Sequence, residues 1–343
     1  MTKKLFLITV AAASAVAYAA QAREQLLIVG SSTVFPFSTA VAEEFGKSSG
    51  FKTPVVESTG TGGGMKLFCS GKGENHPDIV NASRRIKTSE IEACAAAGIN
   101  QITEVKIGYD GIVMANSTTG AQINFTLKDI YLGLAKEIPT TDGKTIPNPY
   151  TTWMQVNPSL PDVKIEVLGP PPTSGTRDAF AELALEGGCK SFPWVKALSE
   201  NYKESFQKIC HTVREDGAYV EAGENDNLIV QKLKANPNAF GVFGYSFLEQ
   251  NADSMQGSMI EGVTPDFDAI ATGAYPVSRP LYFYVKNGNV DTVPGLKEFV
   301  VEFSSEKAWG PEGYLADKGL IPLPDDERLK SRSGAQSLTA LTM

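Results

Sequence analysis

The stretch LLIVGSSTVFP, residues 26–36, decides how this chain is to be read. Leu26–Val29 is an apolar, β-branched run with strand character. Gly30-Ser31-Ser32-Thr33 ends it where apolar positions begin to recur at helical spacing, over Phe37–Phe45. The same passage from strand to Gly/Ser/Thr loop to helix occurs twice more. Val55–Glu57 runs into Ser58-Thr59-Gly60-Thr61-Gly62-Gly63-Gly64, and Lys164–Leu168 leads to Thr173-Ser174-Gly175-Thr176. The first four N–H groups of a helix lack intrahelical partners, and the aligned peptide dipoles place partial positive charge there. Such a turn can bind an anion, with hydroxyls and close-approaching glycine N–H groups as donors. Any single loop is equally an ordinary cap and turn. Three together point to an oxyanion enclosed from several sides.

Lys3-Lys4, the apolar stretch Leu5–Ala20 and the small-residue pattern Ala20-Gln21-Ala22 form the parts of a secretory signal. Residues 1–22 are therefore expected to be cleaved and the protein exported. No later segment offers the ~18 continuous apolar residues of a membrane span. The remaining chain exceeds what one core usually supports, so roughly two domains are expected. The net charge is −8, and more acidic without the two leader lysines. That balance argues against nucleic acid or anionic membrane as partner, and anion affinity must come from local dipoles and a few arginines. Four cysteines in an exported chain imply two disulfides. Neighbour pairing gives Cys69–Cys94 and Cys189–Cys210, one of three connectivities. Zinc is the weaker reading of these cysteines, since no C-x-x-C occurs and the only histidines are His76 and His211. No metal or cofactor is expected.

Strand and helix patterns alternate along most of the chain, which indicates α/β architecture with mainly parallel sheets. Gly108–Ala115, Gly241–Ser246 and Pro280–Val285 read as further strands, and Thr126–Leu134 as a helix capped by Thr126. If the chain leaves one lobe near Gly108–Asp110 and returns near Tyr275–Arg279, the lobes are 23–108 plus 275–343 and 109–274. Strand-end loops of both then meet in one cleft, where open α/β sheets bind ligands. Pro139–Pro149 reads as a surface loop and the polar tail after Pro324 as loosely held.

In this frame Ser32, Thr33, Thr61, Ser174 and Thr176 offer hydroxyls, and Val34, Gly62, Gly63 and Gly175 offer backbone N–H groups. Arg84, in Ser83-Arg84-Arg85 after the short strand Ile79–Asn81, can bind two oxyanion oxygens through its planar fork. Asp226 caps a helix that could point at the cleft. Enzyme templates fit poorly. The Gly60–Lys66 run lacks P-loop spacing, no G-x-S-x-G elbow occurs, and both histidines sit in packing or surface contexts.

Taken together, GSSTVFP at 30–36, STGTGGGMKLFC at 58–69, NASRRI at 81–86 and PTSGTRDAF at 172–180 resemble the periplasmic phosphate-binding proteins of ABC importers. FTLKDIYLG at 125–133 and EGVTPDFDAIATGAYPVSRPLYFYVK at 261–286 extend the match over nearly the whole exported chain. The resemblance implies a two-lobed, type II periplasmic binding protein fold. Hinge-linked lobes would close over one inorganic phosphate in the cleft between them, and a monomer would deliver it to a membrane permease without catalysis. By motif position it assigns donors to Thr33 and Val34, Thr61 and Gly62, and Ser174, Gly175 and Thr176. Two positions depart from the family pattern. The acid that usually follows the Ala-Ser pair is Arg84 here, and the Arg usually found four residues before the S-G-T serine is Pro170. Arg84 is therefore expected to supply the countercharge, with Asp226 or Asp110 reading the phosphate proton. A receptor for another, sulfate-like oxyanion and a phosphate-ester hydrolase on the same scaffold are the alternatives.

Overall fold

The computed structural model describes residues 23–341 apart from Glu74, Thr173, Glu224 and Asn225. The expected leader lies outside the described residues. Three strand–helix units open the fold: β1 (Leu27–Gly30) with α1 (Phe35–Ser48), β2 (Val55–Ser58) with α2 (Gly60–Phe68), and β3 (Ile79–Ala82) with α3 (Thr88–Ala96). The three strands are parallel in the order β2-β1-β3. The 16-residue β4 (Ile102–Ser117) follows. A second body holds β5 (Asn124–Phe125), α4 (Leu127–Leu134), the hairpin β6 (Glu137–Pro139) and β7 (Thr145–Pro147), and α5 (Trp153–Val156). It continues through β8 (Val167–Gly169), α6 (Gly175–Phe180) with a π-helical turn at Ala181–Leu185, β9 (Tyr219–Glu221), β10 (Phe240–Gly244), β11 (Met255–Gly257) and β12 (Met259–Ile260). The chain then returns along β13 (Ser278–Lys286).

One hydrogen-bonded path, β2-β1-β3-β13-β4-β10-β8-β9, links both bodies. The outer strands are parallel, as the alternating pattern predicts. The middle is antiparallel, because β4 and β13 carry the chain between bodies in opposite directions. Residues Ile102–Gly111 of β4 pair with β13, and Ile112–Ala115 pair with β10. The register slips by one residue at Ile107, between Leu281 and Tyr282, a bulge that re-aims the strand. Ile107 packs with Ile28, Phe283 and Trp309 on one side, whereas Tyr109 joins Val113, Trp153 and Phe240 on the other. Tyr275 and Val277 still pack with the second cluster, and Leu281 with the first. Each body thus has its own apolar core, and the crossings lie between.

Both disulfides form as neighbour pairs. Cys69–Cys94 ties the end of α2 to α3, and Cys189–Cys210 ties the end of the long helix after α6 to the helix Lys203–His211. Thr126 caps α4 through its hydroxyl, which accepts from Asp129 N at 3.0 Å. Two expectations are corrected. Pro139–Pro149 is partly ordered, since β6 and β7 pair as a hairpin. The tail forms a helix, Asp325–Gln336, docked on β4. Glu327 pairs with Lys106, and the buried Arg328 bonds Glu306, Asp325 and the Leu323 carbonyl. Its attachment is ionic, so no apolar period announces it.

Helix α2 lies hard against β1. A Cβ on Gly64 would stand 2.5 Å from Gly30 Cα and 3.0 Å from Val80 Cγ2. Gly64→Ala is expected to cost about 1–3 kcal/mol of stability, read from the urea midpoint. An unchanged midpoint would show that α2 backs away freely.

Candidate functional site

The register aligns Gly30 of β1 with Ser58 of β2 and Asn81 of β3, so all three loops leave the same edge of the sheet. A buried polar set shapes the first loop. Ser31 N donates to the Asn81 carbonyl, Ser38 Oγ donates to Asn81 Oδ1, and Phe35 N donates to the Ser31 carbonyl. Val34 N turns onto Ser31 Oγ at 3.4 Å. Pro36 in the first turn of α1 loses nothing, since N–H groups there have no helical acceptor. In the second body Ser174 caps α6, its hydroxyl accepting from Thr176 N at 3.2 Å.

Between the bodies lies a cavity of about 710 Å³. Ser32, Thr33 and Ser58 line it from the first body, Ser174, Gly175 and Thr176 from the second, and Asp110 from the crossing strand. Phe35 and Phe247 add apolar wall, and Lys318 stands at the rim. The two walls touch. Ser32 Oγ donates to Asp178 Oδ2 at 2.6 Å, and a Cβ on Gly175 would come within 2.8 Å of the Ser32 carbonyl oxygen.

Behind this wall sits Arg279, only 7% exposed. Its Nη2 donates to Thr33 Oγ1 and its Nη1 to Glu182 Oε2. Its Nε lies 3.6 Å from Asp110 Oδ2, and neither of these atoms has a hydrogen-bond partner among the described residues. Arg279 and Asp110 are direct cross-strand partners on β13 and β4. Burial holds the Asp110 carboxyl above the ordinary range; the Arg279 guanidinium opposes this shift, and Glu182 adds to it.

The loops before α1 and α6 therefore meet, which brings together two of the three turns read from the sequence. The second loop shares the sheet edge and reaches the cavity through Ser58. Thr61 Oγ1 instead lies 3.1 Å from Ser83 Oγ and accepts from Ser83 N, while Gly62 and Gly63 are not on the cavity wall. Arg84 is also off the wall. Its fork closes on Glu90 at 2.9 and 2.7 Å, because Glu90 is already fixed at the start of α3 by accepting from Lys87 N. That pairing also raises the Arg84 pKa. Asp226 begins the helix Asp226–Ala235, and its side chain lies outside the described residues. Sequence reasoning missed Asp178, Glu182, Arg279 and Lys318. Asp178 and Glu182 follow the S-G-T cap at helical spacing, and Arg279 opens an aromatic strand at the expected crossing; both were readable signals. Among the described residues no group of three or more His, Cys, Asp or Glu is placed to hold a metal, and no helix is long and apolar enough to cross a membrane.

This fold and cleft define a class. The PBP superfamily domain matches residues 15–307, and the chain belongs to that superfamily. Among its relatives, the protein SphX of Synechococcus elongatus is 32% identical over 302 residues, covering 86% of this chain and 76% of its own length. The phosphate-binding protein PstS of Staphylococcus saprophyticus is 30% identical over 313 residues, covering 89% and 82%. The crystal structure of a possible phosphate binding protein from Planctomyces limnophilus superposes with a TM-score of 0.72 at 27% identity, over 93% of this chain and 100% of that one.

The contact between walls can be tested without ligand. Gly175→Ala places a methyl against the Ser32 backbone, so the second body must withdraw. Small-angle scattering is expected to show a larger radius of gyration than wild type. Superimposable profiles would mean that α6 and the first loop do not meet in solution.

Proposed function

We propose that this protein is the phosphate receptor of an ABC importer, capturing inorganic phosphate between its lobes and handing it to a membrane permease. The carrying observation is the cavity whose facing walls bring Ser32 and Thr33 against Ser174, Gly175 and Thr176, with a buried carboxylate, Asp110, at the crossing. The names of the PstS relative and of the Planctomyces structure support the choice of phosphate. Capture is the whole activity in this reading, without turnover. One chain supplies both walls, which favours a monomer as the working unit. The lobes are taken as 23–108 plus 275–343 and 109–274, closing about β4 and β13. Two disulfides suit an oxidising compartment such as the periplasm.

The tetrahedral anion receives hydroxyls and N–H groups from opposite sides, from the loops before α1 and α6. Hydrogen phosphate still carries a proton, which Asp110 can accept. Sulfate offers none at neutral pH and leaves two negative oxygens facing each other. Asp110 is the buried acid on the cavity wall, whereas Asp317, which also lines it, is exposed. Calorimetric titration of the exported chain is expected to show phosphate bound at least ~100-fold tighter than sulfate. In Asp110→Asn the gap is expected to shrink to about tenfold or less. Equal affinity of wild type for both ions would remove Asp110 from this role, and binding of neither would remove the receptor reading.

A further inference from the structure

We propose that Arg279 is the cation that grips the captured oxyanion, and that Glu182 is a built-in competitor for its guanidinium, so that ligand and Glu182 exclude one another. This rests on the receptor reading above and names the countercharge that reading lacks.

The case begins with position. Arg279 touches two cavity-wall residues, donating to the Thr33 hydroxyl and lying 3.6 Å from the Asp110 carboxylate. Its guanidinium is thus one side chain behind the surface that the anion would meet. A guanidinium fork presents five donors in a plane and matches two oxygens of a tetrahedral anion. Here the fork is incompletely used. The residue is 7% exposed, and Nε has no hydrogen-bond partner among the described residues. Nε faces the Asp110 carboxylate at 3.6 Å without a hydrogen bond, and a buried N–H left so is costly, a cost that an oxyanion coming between or beside the two would relieve.

Glu182 is the movable member. Its side chain is 52% exposed whereas that of Arg279 is 8% exposed. Its carboxylate therefore reaches inward from the protein surface and recovers hydration on leaving. It bonds Nη1 through one oxygen only, so a phosphate spanning two donors has the better match. Two like charges also burden the present arrangement, since Glu182 disfavours the charged form of Asp110.

The test is calorimetric titration of inorganic phosphate into the exported wild-type chain, Glu182→Gln and Arg279→Lys at one pH and salt concentration. Glu182→Gln keeps the shape and removes the rival charge. It is expected to tighten phosphate binding by about tenfold or more. Arg279→Lys keeps the charge and loses the fork, and is expected to weaken binding by about 100-fold. Thermal melts establish that both variants are folded, and the Glu182→Gln arm stands even if Arg279→Lys is not. Unchanged or weaker binding in Glu182→Gln overturns the competitor, and wild-type affinity in a folded Arg279→Lys overturns the cation. If wild type itself binds no phosphate, the receptor reading fails first and this inference falls with it.

Discussion

Arg279 and Asp110 face each other across β13 and β4, at the place where the chain passes from one core to the other. Two opposite charges buried as a cross-strand pair cost desolvation on both sides, and the pair is tolerable only while both members stay. That constraint ties the crossing to the cleft. Thr33 comes to Arg279 from the first body and Glu182 from the second, so one guanidinium touches both bodies and the crossing strand. The bulge at Ile107 lies three residues from Asp110. It lets a single strand serve two cores, with Asp110 on the cavity wall and Arg279 behind it.

The anion site is local in origin. A chain of net charge −8 has no overall field to draw phosphate in. What it has is a sheet edge from which β1, β2 and β3 all discharge into helix starts, and a second body that presents the start of α6 to them. Close packing makes this possible. Gly64 lets α2 lie on Gly30, and Gly175 lets α6 reach the Ser32 backbone. Small residues at both contacts set the distance between hydroxyl-bearing loops, and hence the size of anion that can touch both.

Much of this was legible in the sequence because turn chemistry is written in adjacent residues. A β-branched run followed by Gly, Ser and Thr reports a strand end and a helix start without any tertiary knowledge. The disulfides were legible for the same reason: each joins neighbouring cysteines, 25 and 21 residues apart. Arg84 was misleading because its partner is also local. Glu90 first accepts from Lys87 N as α3 begins, and a carboxylate held there attracts the nearest guanidinium. The pairing of Arg279 with Asp110 was opaque for the opposite reason. Some 170 residues separate them, and only the register of β13 on β4 makes them partners. The tail helix was hidden because ion pairs to Lys106 and Glu306 hold it, and such pairs leave no hydrophobic period to read.

One helix face carries both contacts from the second body. Asp178 and Glu182 are four residues apart, so they project on the same side, and they reach Ser32 and Arg279 respectively. The π-helical turn Ala181–Leu185 includes Glu182 but not Asp178. The two contacts therefore sit on differently wound turns, and π turns of this kind recur at functional sites. If the anion takes Arg279, the helix can therefore release Glu182 while the Asp178–Ser32 bond keeps the lobes together. Closure and charge exchange then need not oppose each other, because different turns of the same helix carry them.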